Sequence, residues 1–347
     1  MVECGGNKGA TGGVASPRSV LVDGHERPIN SIRISVNREC NLACFYCHNE
    51  GNFDGKRTMT PGDIEDLARV ASDMGVRKLK LTGGEPLARD DIVEIVRRVS
   101  PLFEEVSMTT NGVRLAPLVP ALKEAGLARV NISLNSLGRD RYARICGSDH
   151  LTEAIAGIDA AILAGLTPVK LNMVLLKGIN DDEVPDLLRF AAGRGAILQI
   201  IELEIERERI SSQIFSDHHA DLGPVRERLL ATGRRNGANP LHNRERYVLE
   251  EGLEGEALPA PVEVELVMPM HNTGFCANCT RIRLTAGGYV KGCLFDRECV
   301  EDLLEPLREG KEPEELKRRI MKVVSERKPY WSEADTMSAA DKRGRGT

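Results

Sequence analysis

Hydrophobic and polar positions follow two alternating patterns between residues 31 and 203. Short β-branched runs alternate with amphipathic stretches of about 10–15 residues, which is typical of parallel strands joined by helices. The pattern predicts six strands, at residues 31–36, 78–82, 106–109, 129–134, 169–175 and 197–203. It predicts helices at residues 61–74, 90–99, 115–124, 152–164 and 181–192. Pro61 and Asp181 suit helix starts, and Gly75, Gly126 and Gly165 stand where left-handed C-caps are expected.

Six strand–helix units predict an α/β fold, an incomplete (β/α)6 barrel of the TIM type. Functional residues of such barrels lie at the carboxyl ends of the strands. Three polar segments obey that rule: a cysteine-rich loop after the first strand, residues 82–86 after the second, and residues 109–112 after the third. Polar residues also interrupt the fourth and fifth strands, which indicates a lined cavity.

The regular pattern fails after about residue 204, and residues 205–240 are charged and irregular. A less regular region follows, with a further helix expected near 313–325. We therefore expect four segments. These are a flexible arm (1–23), the barrel (24–235), a C-terminal α+β extension that carries a second metal cluster and binds substrate (236–331), and a loose tail (332–347).

Composition narrows the class of protein. Hydrophobic residues make up 41% and charged residues 29%, as in globular proteins with a sizeable core. The net charge of −5 argues against a nucleic-acid partner, although it leaves room for a local basic pocket. No apolar run approaches the roughly 18 residues of a membrane span, and the first residues lack the apolar centre of a signal peptide. We expect a cytoplasmic protein without a membrane partner.

Six of the nine cysteines fall into two triplets, which in a reducing compartment indicates metal sites. The first triplet is Cys40, Cys44 and Cys47, with CxxxCxxC spacing. Three thiolates on a short loop can ligate three irons of a cubane cluster and leave the fourth iron open. A structural zinc site would need a fourth ligand, for which His48 is the nearby candidate. Spacing and ligand count therefore favour iron.

The second triplet, Cys276, Cys279 and Cys293, leaves two interpretations open. Cys299 is a candidate fourth ligand, which would complete a zinc ribbon. Two arginines follow Cys279 at alternating positions, so that an extended segment would turn both to one side. Guanidinium groups beside a three-ligand cluster suit a phosphorylated ligand. These arginines are Arg281 and Arg283.

The first triplet, the aromatic residue at 46 and the Thr-Gly-Gly-Glu-Pro run at 82–86 resemble radical S-adenosylmethionine enzymes. The resemblance implies a 4Fe–4S cluster at the three cysteines and S-adenosylmethionine on its open iron. It also implies contacts to S-adenosylmethionine from Tyr46, Gly84, Glu85 and Ser133.

Both triplets together, with Arg-x-Arg between Cys279 and Cys293, resemble the GTP 3′,8-cyclase family over residues 24–330. That resemblance implies a second 4Fe–4S cluster, GTP as substrate, hydrogen abstraction from its C3′ and ring closure at C8 of guanine. It implies an electron donor such as a ferredoxin or flavodoxin. It allows a homodimer, and it assigns no residue to catalytic proton transfer. The GTP contacts that it implies are Arg33, Lys78, Thr109, Lys170, Arg281 and Arg283.

Three departures from the bacterial pattern are present. One is the His-Asn-Glu run that begins at His48, directly after the first triplet, and it resembles archaeal-type members more than bacterial ones. Gln199 and Glu204 stand where many bacterial members carry arginine and methionine, and we assign them no role. Residues 343–347 lack the terminal Gly-Gly pair of those members. The alternatives are a radical enzyme that modifies peptides with an auxiliary cluster, and a zinc-stabilised interaction protein without turnover.

Overall fold

The computed structural model describes residues 20–53 and 55–332, and a single twelve-stranded sheet dominates it. The predicted arm and tail lie mostly outside the described residues. The strands are β1 Leu21–Val22, β2 Pro28–Ile29, β3 Ser31–Ser35, β4 Lys78–Thr82, β5 Glu105–Thr110, β6 Arg129–Ser133, β7 Lys170–Leu175, β8 Ile197–Glu202, β9 Arg234–Asn239, β10 Arg244–Glu251, β11 Ala257–Val267, β12 Arg281–Leu284, β13 Tyr289–Lys291 and β14 Val300–Asp302.

The six predicted strands are β3 to β8, and they are neighbours in chain order, all parallel. The α/β prediction is therefore confirmed. The complete order is β14-β13-β12-β3-β4-β5-β6-β7-β8-β11-β10-β9, and β1 pairs with β2 in a separate ribbon.

The helices are α1 Pro61–Asp73, α2 Ile92–Val99, α3 Leu115–Glu124, α4 Arg139–Cys146, α5 Leu151–Leu163, α6 Val184–Ala192, α7 Gln213–His218, α8 Gly223–Thr232, α9 Thr273–Ala277, α10 Leu304–Arg308 and α11 Pro313–Glu326. The five helices predicted within the barrel are α1, α2, α3, α5 and α6. The helix expected near 313–325 is α11.

Helix termini follow the local chemistry of the sequence. Pro61 opens α1, and Thr60 and Asp63 form a reciprocal capping box there. Gly75, Gly126 and Gly165 adopt φ of +93°, +100° and +70°, as predicted for left-handed C-caps.

Two helical details were predicted wrongly. Helix α6 begins at Val184 rather than at 181, because Asp181 instead accepts a hydrogen bond from Gly178 N in the preceding turn (3.1 Å). Helix α4 was missed because it is short and strongly polar, with only Tyr142, Ile145 and Cys146 buried.

The barrel strands have two faces of different character, because side chains alternate along a strand. On β4, Leu81 is fully buried in the hydrophobic core, whereas Lys80 lines a cavity. The same alternation holds on β6, where Val130 and Ile132 are fully buried between cavity-lining polar residues. One face of the sheet therefore forms the core and the other forms the wall of a polar chamber.

The C-terminal extension continues the barrel at both edges. Strand β11 pairs with β8 and β12 pairs with β3, both in parallel. Pairings at such sequence separation leave no signal in local hydrophobic periodicity, and the sequence did not predict them. The region 205–240, expected to be irregular, contains α7, α8 and the whole of β9.

Within the described part of the chain, no helix combines the length and the apolar character that a membrane crossing requires.

Candidate active site

The inward face of the sheet encloses a cavity of about 590 Å³. Eleven lysines and arginines but only four glutamates line it within the described residues. The imbalance gives the chamber a positive potential, although the whole chain is acidic.

The first cysteine triplet lies on the loop after β3. Cys40 and Cys47 are exposed and Cys44 is half-buried. Leu42 N donates to Cys40 Sγ (3.4 Å) and Asn49 N donates to Cys47 Sγ (3.3 Å). Burial and the nearby charges of Glu85 and Cys44 raise the pKa of the Cys40 thiol. Thiols gathered on one loop beside main-chain N–H donors fit the ligand set of a cubane cluster.

Helix α4 anchors this loop. Ala43 N donates to Cys146 O (2.8 Å), and Phe45 N donates to Ile145 O (3.3 Å). Because carbonyls at a helix C-terminus lack intrahelical partners, they are free to receive such donors. Helix α4, which was not predicted from the sequence, therefore holds the loop of the first triplet in place.

The Gly-Gly-Glu-Pro turn after β4 packs directly on the same loop. Gly84 N donates to Asn37 O (3.0 Å) and Glu85 N donates to Glu39 O (2.8 Å). A Cβ atom on Gly84 would lie 2.3 Å from Arg38 O, so that a side chain there would push the loop away. The glycine is thus required for the contact between the turn and the cysteine loop.

The carboxylate of Glu85 is 1% exposed. It accepts hydrogen bonds from Thr110 Oγ1 (2.6 Å), Asn111 N (2.7 Å) and Leu87 N (3.0 Å). Burial raises its pKa. The side chain supports the turn through these internal bonds, which leaves main-chain groups of the turn as acceptors for a ligand ammonium group.

Tyr46 and Ser133 both line the cavity. Asn135 Nδ2 donates to Tyr46 Oη (2.8 Å), and Val174 N donates to Asn135 Oδ1 (2.9 Å). Asn135 therefore fixes the orientation of the Tyr46 ring. No role was predicted for Asn135 from the sequence, although its place in the polar run on the fourth strand was a usable signal.

The second triplet lines the same cavity. Burial raises the pKa of the Cys276 thiol to about 11 and also raises that of Cys293. Burial would raise the pKa of Cys279 too, but the guanidinium groups of Arg327 and Arg281 outweigh it, and the pKa falls below the usual value. The cationic surroundings thus favour a thiolate at Cys279.

A buried network holds the loops of the second triplet. Arg27 Nη1 donates to Cys276 O (2.8 Å), and Arg327 donates to Cys279 O (2.6 Å) and Gly292 O (3.0 Å). Asp23 accepts from both arginines, at 2.7 and 2.9 Å. All three side chains are at most 5% exposed. This network was not predicted from the sequence, because its members lie at opposite ends of the chain.

Cys299 is separate from this site. Its thiol is buried and donates to Val323 O in α11 (3.3 Å). It is absent from the lining of the cavity within residues 20–53 and 55–332.

Arg281 and Arg283 occupy alternate positions on β12 and both line the cavity, as their spacing predicted. Arg283 lies opposite Arg33 of β3 in the parallel register. Glu50 bridges these two arginines, with Nη1–Oε distances of 2.8 Å to each. Burial would raise the pKa of Glu50, but the two guanidinium groups hold it well below its usual range. Glu50 is therefore a permanent counter-ion for one pair of arginines.

The guanidinium of Arg281 has no hydrogen-bond or ion-pair partner in the part of the chain that the structure describes. Burial, together with the charges of Arg33 and Arg283, lowers its pKa well below the usual value. A guanidinium stays protonated in proteins. A buried positive charge without a counter-ion therefore indicates a binding place for an anion.

Two lysines on β4 differ in position. Lys78, the residue that the resemblance implied, is exposed at the start of the strand and reaches the rim of the cavity. Lys80 points into the interior, where its Nζ donates to Asn131 Oδ1 (2.7 Å). Burial and the charges of Arg129 and Arg33 lower the pKa of Lys80 well below its usual value. Lys80 was not predicted from the sequence, although the alternation along β4 was a usable signal.

Thr109 and Lys170 line the cavity too. Lys170 Nζ donates to Glu265 Oε2 (2.5 Å), and this buried carboxylate also pairs with Arg244 (2.7 Å). Gln199 is 3% exposed, and its Oε1 accepts from Asn131 Nδ2 (3.1 Å).

Comparison with protein-family models gives two matches that together span most of the chain. Residues 34–191 match the Radical SAM superfamily, and residues 196–333 match Molybdenum Cofactor Synthesis C.

Solved structures show the same fold at low sequence identity. Streptococcus suis SuiB superposes with a TM-score of 0.58 at 15% identity, over 81% of this chain and 65% of that one, so this chain spans about two thirds of its length. The structure of native anSMEcpe with bound AdoMet gives a TM-score of 0.51 at 14% identity, over 90% and 97% of the two chains.

Curated relatives are much closer in sequence. A Pyrococcus abyssi protein named "Probable GTP 3′,8-cyclase" is 49% identical over 90% of this chain and 100% of its own length. A Thermococcus kodakarensis protein of the same name is 45% identical over 90% and 100%. The chain therefore belongs to the GTP 3′,8-cyclase family within the radical S-adenosylmethionine superfamily.

Proposed function

We propose that this protein is a GTP 3′,8-cyclase of molybdenum cofactor biosynthesis. It uses S-adenosylmethionine and a 4Fe–4S cluster held by Cys40, Cys44 and Cys47. The observation that carries the proposal is the unpaired guanidinium of Arg281, which faces a cationic chamber shared by Tyr46 and the second cysteine triplet.

When bound, the first cluster and S-adenosylmethionine supply the radical that removes hydrogen from the substrate. The protein's own residues bind, orient and shield. Tyr46, fixed by Asn135, and Ser133 line the part of the chamber that would receive the adenosyl group. The cavity walls limit access of water, which protects reactive species from side reactions.

We propose that the cationic residues of the chamber bind the triphosphate of GTP. Fixed positive charge in a site of low dielectric constant stabilises phosphate strongly. Lys80 lies deeper in the chamber than Lys78, and for that reason we add it to the contacts that the resemblance implied. The proposed contacts are Arg33, Lys78, Lys80, Thr109, Lys170, Arg281 and Arg283.

A second 4Fe–4S cluster at Cys276, Cys279 and Cys293 is part of the proposal. Its three thiols border the chamber in which the substrate would lie. The hydrogen bond from the Cys299 thiol to Val323 O argues against a zinc ribbon completed by that residue. These thiols would hold the cluster beside the arginines, and the cluster would supply a Lewis-acidic iron for the guanine base. Holding reacting groups in place can lower a barrier by roughly 7–11 kcal/mol in favourable cases.

Cys40 and Cys47 are exposed, which supports electron delivery by a small carrier such as a ferredoxin or flavodoxin. Cytoplasmic location and assembly as a homodimer stay predictions.

The decisive experiment is anaerobic reconstitution, followed by iron analysis, electron paramagnetic resonance with and without GTP, and product analysis with S-adenosylmethionine and a reductant. We expect about eight irons per chain, the content of two cubane clusters. We also expect a GTP-induced spectral change at one cluster and a cyclised GTP product. The Cys293→Ser variant should retain about four irons, whereas Cys299→Ser should retain about eight. Consumption of S-adenosylmethionine without conversion of GTP would reject GTP as the substrate.

A further inference from the structure

Arg244, at the start of β10, presents an unused donor to the chamber. Its side chain is 10% exposed and lines the cavity. Its Nε donates to Leu241 O (3.2 Å), and its Nη1 pairs with Glu265 Oε1 (2.7 Å). For Nη2, residues 20–53 and 55–332 supply no hydrogen-bond partner. A guanidinium held by two of its nitrogens with the third free is preorganised for an incoming acceptor.

The partner that holds Arg244 is saturated. Glu265 is fully buried, and besides Arg244 it accepts from Lys170 (2.5 Å) and Asn239 Nδ2 (3.2 Å). One carboxylate thus faces two cations, so that the group carries a net positive charge. Glu265 orients Arg244 without neutralising the whole group.

Arg244 and Arg281 come from opposite edges of the sheet. Strand β10 is next to one end of the strand order, and β12 is third from the other. Both guanidinium groups line the same cavity, so two positive charges face one chamber from its two edges.

The two edges already touch beside these arginines. His242 N, in the connection between β9 and β10, donates to Asn278 O in the second cysteine loop (2.9 Å). The His242 ring stacks on Phe275, with centroids 3.8 Å apart. This contact brings β10 beside the second triplet.

We propose that Arg244 is a further substrate-binding residue, which clamps the anionic part of the substrate together with Arg281. The ligand then bridges the two edges of the open sheet and relieves the repulsion between their guanidinium groups. Guanidinium forks match phosphate oxygens in geometry and charge. This inference rests on the proposed function, because it takes a nucleoside triphosphate as the ligand.

The test measures binding of GTP and of inorganic tripolyphosphate to the reconstituted protein under anaerobic conditions. Arg244→Met should weaken the binding of both ligands by about tenfold or more. A tenfold change in affinity corresponds to about 1.4 kcal/mol. Arg246→Met is the matched control. Arg246 pairs with Glu263 on the same two strands and lies outside the cavity lining, so its affinity should match that of the wild type.

Hydrogen exchange gives a readout independent of activity. Tripolyphosphate should slow amide exchange in β9 and β10 of the wild type and leave it unchanged in Arg244→Met. Arg244→Lys keeps the positive charge but lacks the paired N–H donors of a guanidinium. It is the second test variant if Arg244→Met loads iron poorly. We expect it to bind at least about threefold more weakly than the wild type.

Wild-type affinity in both Arg244 variants, with weak binding in Arg281→Met, would overturn this inference and leave the proposed function standing. Failure of the wild type and of Arg246→Met to bind GTP would instead overturn the proposed function, and the inference with it.

Discussion

The guanidinium of Arg327 lies 2.9 Å from the carboxylate of Asp23, across a sequence separation of 304 residues. Arg27 shares the same carboxylate, and the two arginines hold three main-chain carbonyls of the loops around the second triplet. The two ends of the described chain thus meet behind the thiols that we propose bind the second cluster.

Asp23→Asn should destabilise the protein strongly, because it leaves two buried guanidinium groups without a counter-charge. Breaking a buried ion pair from one side costs about 3–5 kcal/mol, which urea unfolding of the cluster-free protein would measure. Asp149→Asn is the control, since Arg139, its partner, is 67% exposed. Exposed pairs contribute below about 1 kcal/mol. An equal loss of unfolding free energy in both variants would contradict the role of Asp23 as the counter-charge of the two buried arginines.

Lys80→Met should weaken GTP binding by about tenfold or more, the effect of losing one charged contact to phosphate. Lys78→Met should have the smaller effect, because Lys78 is exposed at the rim. Calorimetric titration of the two variants would compare them directly. The opposite order would restore Lys78 as the main contact of this strand.

GTP binding should be accompanied by uptake of protons. Burial and the charges of Arg129 and Arg33 hold the pKa of Lys80 well below its usual value in the ligand-free protein. A triphosphate alongside raises that pKa, so affinity should fall as the pH rises through the lowered value. Titrations in two buffers of different ionisation enthalpy count the protons, and the count should decrease in Lys80→Met. A buffer-independent enthalpy in the wild type would refute this linkage.

Gly84→Ala should impair loading of the first cluster. The added methyl group would meet Arg38 O at 2.3 Å and Glu39 O at 2.4 Å, so that the loop before Cys40 has to move. Gly62→Ala is the control, because its Cβ meets nothing closer than Thr60 Oγ1 at 3.8 Å, within helix α1. Iron content after reconstitution should fall in the first variant alone. Full loading of Gly84→Ala would show that the contact is dispensable.

Glu265→Gln should flatten the dependence of stability on pH. Burial would raise the pKa of Glu265, but Arg244 and Lys170 outweigh it and hold the pKa below the usual value. A carboxyl with a lowered folded-state pKa stabilises the protein above its unfolded pKa of about 4.3, and that contribution is lost as the pH falls towards the folded value. The wild-type free energy of unfolding should therefore drop more steeply than that of Glu265→Gln below about pH 5. Parallel curves from denaturant titrations would disprove the ionised pair.

Local pattern was sufficient to predict the barrel strands and two of the cationic residues that face the cavity. Strands β3 to β8 follow from the β-branched runs that alternate with amphipathic stretches, and the cavity-facing positions of Arg281 and Arg283 follow from their alternate spacing. These features depend on neighbours a few residues apart, which a sequence displays directly.

Contacts across long separations could not be predicted in this way. Arg244 and Asp23 act through partners on distant elements, and neither lies in a recognisable motif. Helix α4 was missed because its buried face is too narrow to dominate a polar sequence. Lys80 was overlooked although its alternation with Leu79 and Leu81 was visible.

The two faces of β4 restrict how this sequence can vary over evolutionary time. A single residue inserted or deleted within the strand would exchange its two faces, with leucines entering the chamber and Lys80 entering the helical layer. Substitutions at cavity-facing positions can retune substrate choice one residue at a time. Insertions and deletions, by contrast, are confined to the loops. The barrel strands therefore have to evolve by substitution, without a change in which residues face the cavity.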